Sequence, residues 1–143
     1  MRALLDVNVL IALLDQAHPH HETAMSWLKA NIKYGWASCP ITQNGCIRIM
    51  SQASYPGTRP AAQIIDRLRG ALEHSAHAFW PDDVSIVDPN IVDGSRVHSA
   101  RQITDTYLLA LAVKHHGRLV TFDSGIALSA VKGAAGRHLV TLF

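Results

Sequence analysis

Three aspartates carry the strongest chemical signal in the sequence. Asp6 closes the apolar run Ala3 to Leu5, Asp123 closes Leu119 to Phe122, and Asp105 stands just ahead of the most apolar stretch, Tyr107 to Val113. Read as two strand ends and the first turn of a helix, these placements aim three carboxylates at one rim. In α/β proteins that rim, outside the carboxyl ends of the strands, is where ligands bind. Each aspartate alone would serve equally as a turn former or helix cap; the coincidence of three favours a site. Like charges held together raise each other's pKa and destabilise a fold unless a cation neutralises them, so a convergent trio implies a metal. Oxygen donors without paired His or Cys suit Mg²⁺ or Mn²⁺. The chemistry such a site supports is metal-assisted attack of water on a phosphodiester.

The elements that must position these residues follow from patterning. Ala3 to Leu5 reads as a strand and Val9 to Leu14 as a short helix. His18 to Ile32 places Ala24, Trp27, Leu28 and Ile32 near a 3.6-residue period, which predicts an amphipathic helix closed by Gly35. Trp36 to Cys39 reads as a strand, and Thr42 as the cap of a helix running to Met50. From Arg59 a helical period runs through Ala62, Ile65, Leu68 and Leu72. Phe79 and Trp80 mark a loop into a predicted strand Val84 to Val87, with a short helix after Pro89. Thr104 and Asp105 open the apolar helix, which Lys114, His115, His116 and Gly117 end. Leu119 to Phe122 and Leu139 to Phe143 complete the strands. Alternation of strand and helix predicts an α/β fold, a central parallel sheet with helices on both faces.

Composition narrows the classes further. With 143 residues, 48% hydrophobic and 17% charged, the chain fits one domain over residues 1–143 and leaves no second core. No apolar run approaches the roughly 20 residues of a membrane span, and the early Asp6 and Asp15 do not suit a secretory leader. Cys39 and Cys46 lie in apolar surroundings, as packed free thiols do. A soluble, cytoplasmic protein without membrane contact is expected. The net charge of +2 permits a polyanionic partner without demanding one.

Four segments together resemble a known family. Leu4-Leu5-Asp6-Val7-Asn8-Val9-Leu10, Thr42-Gln43-Asn44-Gly45-Cys46-Ile47-Arg48, Ile103-Thr104-Asp105-Thr106-Tyr107-Leu108 and Leu119-Val120-Thr121-Phe122-Asp123 are similar, in order, to the motif blocks of PIN-domain ribonucleases. The match is to the VapC-type toxins of type II toxin–antitoxin systems. That resemblance implies a three-layer α/β/α fold and a Mg²⁺- or Mn²⁺-dependent endoribonuclease acting on RNA, with structured tRNA or rRNA as targets. It implies a cognate antitoxin and a homodimer or a toxin–antitoxin heterotetramer or larger. Asp6, Asp105 and Asp123 become the metal-binding and catalytic acids, with Asn8 as a polar supporter.

The chain departs from the family at Gln43, where a Glu is usual, and no acid stands between Glu22 and Asp66 to replace it. Gln43 offers a carbonyl oxygen and an amide donor but no charge. On this reading Gln43→Glu would tighten Mn²⁺ binding. The departure motivates a second class of function, a catalytically weakened PIN-like module that binds RNA or antitoxin and regulates without cutting. A third, a phosphoacceptor domain using Asp6 as nucleophile, is weakened because Asn8 stands where a second acid would be needed. Arg48, Arg96 and Arg101 are candidate RNA contacts. His18, His20 and His21 are read as a solvated helix start with no metal. Trp27, Trp36, Phe79 and Trp80 are assigned to packing. The helices from His18 and from Arg59 are the candidate antitoxin groove.

Overall fold

In a computed structural model of Met1–Phe143, five short parallel strands carry alternating side chains that divide the core in two. They are β1 (Ala3–Leu5), β2 (Trp36–Ser38), β3 (His77–Phe79), β4 (Arg118–Thr121) and β5 (Leu139–Thr141), in the spatial order β3-β2-β1-β4-β5. Strand side chains alternate between faces. Leu4, Ala37 and Leu119 accordingly point into one core and Leu5, Trp36 and Val120 into the other. The second of these cores is covered by α1 (Val7–Leu14), α2 (His21–Asn31), α3 (Pro40–Met50) and α4 (Ala61–Leu72), while α5 (Ile103–Lys114) covers the first. Burial of Leu108 through Ala112 explains why α5 is apolar around most of its circumference. No helix is long and apolar enough to cross a membrane.

The strand order places the functional rim. From β1 the chain moves outward to β2 and β3, then returns to β4 on the other side of β1 and continues to β5. The carboxyl ends of β1 and β4 therefore flank the point where the order reverses, the crevice in which open α/β sheets bind ligands. Leu5 pairs with Val120, so the next residues along, Asp6 and Thr121, face each other at the strand ends.

Several local expectations are corrected. The third strand is His77–Phe79, and Val84 to Val87 forms none. Val84 and Ile86 pack with the core under α5, and Val87 is 85% exposed. Asp83 tethers the segment to the end of α5, accepting from His115 Nε2 at 2.9 Å and pairing with Lys114 Nζ at 3.3 Å. The alternation is real, but those residues lie over a helix and not beside a strand. No α-helix follows Pro89 directly; Val92 forms an antiparallel bridge with Val131, and the helical stretch that comes next is the single 3-10 turn Gly94–Arg96. Phe79 is exposed on the edge strand, whereas Trp36 and Trp80 are buried as packing residues. The second helix begins at His21, after a turn in which His18 Nδ1 accepts from the His20 amide and His21 Nδ1 donates to the Ala12 carbonyl. Cys39, not Thr42, precedes the first turn of α3; Thr42 Oγ1 accepts from the Cys39 amide. Both cysteines are free and buried, and burial pushes the Cys46 thiol up to about 12.

Candidate functional site

Asp6 is fixed before any ligand arrives. As the residue that caps α1, it accepts from the Val7 amide on Oδ1 at 2.7 Å. Its Oδ2 accepts from Thr121 Oγ1, also at 2.7 Å. The capping and site readings of Asp6 are thus one geometry, a carboxylate held by its own helix and by the neighbouring strand. Asp105 occupies the first turn of α5 and Asp123 lies two residues beyond β4. The three present carboxylate oxygens within 4.8 Å of one another. Asp6 is buried, Asp105 half-buried and Asp123 exposed, so the cluster opens to solvent on one side.

Burial and mutual repulsion shift two of the three carboxyls. Burial raises the Asp6 pKa against the hydrogen bonds from Thr121 and Val7 that lower it, and the charge on Asp123 raises it further. Asp105 is pushed up to about 6, first by burial and then by Asp6 and Asp123. Convergent hard oxygen donors, partly desolvated and mutually repelling, fit a small divalent ion.

Asn8 stands beside the trio as a brace. Its Nδ2 donates to Thr121 Oγ1 at 3.4 Å and its Oδ1 accepts from the Phe122 amide at 3.3 Å, tying the first turn of α1 to the end of β4. Thr121, which sequence reasoning missed, is the centre of this network: fully buried, it also accepts from the Asp123 amide at 3.0 Å. One hydroxyl orients two of the three acids. The available signal was a Thr two residues before an Asp at a strand end; its meaning depends on the register of β1 against β4.

Gln43 is directed elsewhere. Its Nε2 donates to Ser38 Oγ at 3.0 Å, and Ser38 Oγ lies 2.8 Å from His77 Nε2. With Gln43 as donor, the single hydroxyl proton of Ser38 goes to a bare His77 Nε2. Burial, with Arg2 nearby, lowers the His77 pKa and suits that neutral ring. Gln43→Glu should therefore reverse the chain, because a carboxylate can only accept. Ser38 then accepts from His77, whose titration midpoint in NMR moves up. Mn²⁺ affinity should change by less than about threefold, as for independent sites. A gain of about tenfold, the scale on which supporting groups act on metal sites, would place residue 43 in the metal site after all.

A cleft of about 500 Å³ surrounds the acids, with Asn44, Gly45 and Arg48 of α3 forming its opposite wall. Arg48 is its one cationic side chain and makes no ion pair with the acids. Arg96 and Arg101 do not line it. Arg96 sits in the turn Gly94–Arg96, 3.9 Å from Asp93, and Arg101 in the turn leading into α5.

Comparisons with known proteins agree with this geometry. The PIN domain family matches residues 3–132. Ribonuclease VapC44 of Mycobacterium tuberculosis is 56% identical over 142 residues, covering 99% of this chain and all of that protein. Ribonuclease VapC39 of the same organism is 44% identical over 135 residues, covering 93% and 96%. Among solved structures, VapBC2 from Rickettsia felis bound to a promoter DNA fragment matches with a TM-score of 0.66 at 14% identity, over 100% of both chains. M. tuberculosis VapC20, a sarcin-ricin loop cleaving toxin, matches with a TM-score of 0.59 at 12% identity, over 86% of this chain and 91% of that one. The structural likenesses establish the α/β/α fold, and the sequence likenesses go further: this chain belongs to the PIN-domain family, among the VapC ribonucleases.

Proposed function

We propose that the chain is the toxin of a toxin–antitoxin pair and cleaves RNA with the aid of Mg²⁺ or Mn²⁺ held by Asp6, Asp105 and Asp123. The observation that carries this is the convergence of the three carboxylates within 4.8 Å at the sheet's reversal point. It occurs in a chain 56% identical to a named ribonuclease over nearly its full length. A divalent ion bound there supplies charge neutralisation and Lewis-acid activation of the phosphodiester. Thr121 and the Val7 amide hold Asp6 ionised and oriented, Asn8 braces the strand end, and Arg48 offers its guanidinium to a phosphate across the cleft. Arg96 and Arg101, outside the cleft, serve at most the flanking RNA.

The antitoxin is assigned to the apolar groove between α1, α2 and α4, a space of about 670 Å³ floored by Leu10, Leu13, Leu28, Ile32 and Leu68. A partner segment lays its own apolar face into such a groove. The cytoplasm is the compartment that holds the RNA and spares two buried thiols from oxidation. Assembly as a homodimer, or with antitoxin as a heterotetramer or larger, belongs to the same proposal.

The test is incubation of antitoxin-free protein with total cellular RNA in Mn²⁺, with and without EDTA, followed by mapping of product ends. Discrete, EDTA-sensitive cuts leaving 5′-phosphate and 3′-hydroxyl ends are expected from hydrolysis by water. A 2′,3′-cyclic phosphate would overturn the metal-hydrolytic mechanism. Saturable RNA binding without cuts would favour the regulatory module that the Gln43 departure suggests.

A further inference from the structure

Gly45 lies inside α3, where helices disfavour glycine, and it stands where that helix meets the residue following Asp6. A Cβ at residue 45 would lie 2.7 Å from Val7 Cγ2 and 3.4 Å from Cγ1. The first distance is roughly 0.8 Å short of the ~3.5 Å at which carbon atoms ordinarily touch. Gly70, inside α4, has nothing within 4 Å of its Cβ direction, so of the two glycines inside α-helices only Gly45 is crowded. Val7 cannot easily turn aside, because a β-branched side chain in a helix strongly prefers one χ1 rotamer. Its backbone, moreover, is part of the acid site: the Val7 amide donates to Asp6 Oδ1 at 2.7 Å.

We propose that Gly45 is a positioning residue for the acid cluster. The missing Cβ lets α3 seat directly on Val7, and that seat fixes the Asp6 carboxylate and the width of the cleft between α1 and α3. Arg48 rides on the same helix one turn further along, so the same contact sets how far the cleft's cation stands from the acids. The inference rests on the metal-site reading of Asp6, Asp105 and Asp123. Small divalent ions demand near-ideal ligand geometry, so a displacement of a few tenths of an ångström at Asp6 is felt as lost affinity.

A double-mutant cycle of Gly45→Ala and Val7→Ala on the full chain tests this, read by Mn²⁺ calorimetry and by thermal unfolding of the metal-free protein. Gly45→Ala should bind Mn²⁺ roughly 10-fold more weakly, the scale on which supporting groups act on metal sites. The double variant should regain most of that loss relative to Val7→Ala, because trimming Val7 removes both methyl groups that the new Cβ meets. A merely structural role would lower the unfolding temperature and leave the affinity of the folded protein intact. Gly45→Ala binding like wild type overturns the inference, as does a double variant no better than the single one. If Gly45→Ala does not fold, the double variant decides: folded and binding supports the steric seat, unfolded or non-binding overturns it. Wild-type protein that binds no Mn²⁺ overturns the metal-site reading and this inference with it. Wild type that binds while Gly45→Ala binds equally overturns the inference alone.

Discussion

Asp105→Asn should make the metal-free protein more stable at pH 7.5 while reducing Mn²⁺-dependent RNA cleavage by roughly 10³-fold, the range lost when a principal electrostatic group is removed from an active site. Asp105 has a folded-state pKa of about 6 against an ordinary value of 3.8, raised by burial and by its two acidic neighbours. Over that interval the folded state binds the proton more tightly than the unfolded state, so stability falls as pH rises from about 4 to 6. Above about 6 the full penalty is present, and the neutral amide removes it. The residue is only half-buried, and solvent screens the repulsion. A gain of about 3 °C, corresponding to ~1 kcal/mol in a chain of this size, is therefore expected. Calorimetry at pH 7.5 and 4.5 checks the sign, since the advantage should shrink at the lower pH. An advantage independent of pH would show that repulsion among the acids is not its origin. Saturating Mn²⁺ should reverse the ranking at pH 7.5, because an ion at 100 times its Kd adds about 2.7 kcal/mol to wild type only.

The acid trio was legible in the sequence because each member sits at a boundary that local patterning reveals: the end of an apolar strand twice, the start of an apolar helix once. Their supporters were not legible to the same degree. Thr121 reads from sequence as one more β-branched strand residue, and only the pairing of Leu5 with Val120 turns its hydroxyl into the partner of Asp6. Gly45 reads as a helix defect until α1 is placed against it. Gln43 could be matched to a motif, yet the direction of its amide is decided by Ser38 and His77, which lie on two strands of the sheet.

The predicted strand at Val84 to Val87 fails for the same reason. Alternation there reports which side chains face a core, but a ladder needs a neighbouring strand, and the place beside β2 is taken by His77–Phe79. The turn before β3 is closed by the His77 amide donating to the His74 carbonyl, and the ladder begins with His77 opposite Trp36. Nothing in that three-residue segment announces the pairing, because its side chains are half-buried or exposed.

Thr121→Val should be the most damaging substitution outside the acids themselves. Valine keeps the shape and the β-branch, so packing is preserved and the loss reads the hydroxyl alone. That hydroxyl donates to Asp6 Oδ2 at 2.7 Å and accepts from the Asp123 amide at 3.0 Å and from Asn8 Nδ2 at 3.4 Å. Hydrogen bonds to charged groups contribute ~1.5–3 kcal/mol, and a buried partner left unpaired adds a desolvation cost. A loss of about 2 kcal/mol at pH 7.5 is expected in chemical denaturation. Burial pushes the Asp6 pKa up, and the Thr121 bond is the largest influence holding it down, so removing that bond raises it further. Protons then compete with the ion at higher pH. The pH at which Mn²⁺ binding is half-maximal should move upward, and affinity at pH 7.5 should fall about 10- to 100-fold, as for lost supporting groups in other metal sites. The stability deficit should narrow as pH falls and Asp6 becomes protonated, because the hydroxyl stabilises the ionised carboxylate. Thr121→Ser, which keeps the hydroxyl and loses only the methyl group, should retain metal affinity and cleavage at a modest cost in stability. Equal loss of affinity in the Ser and Val variants would assign the role of residue 121 to packing and detach it from the orientation of Asp6.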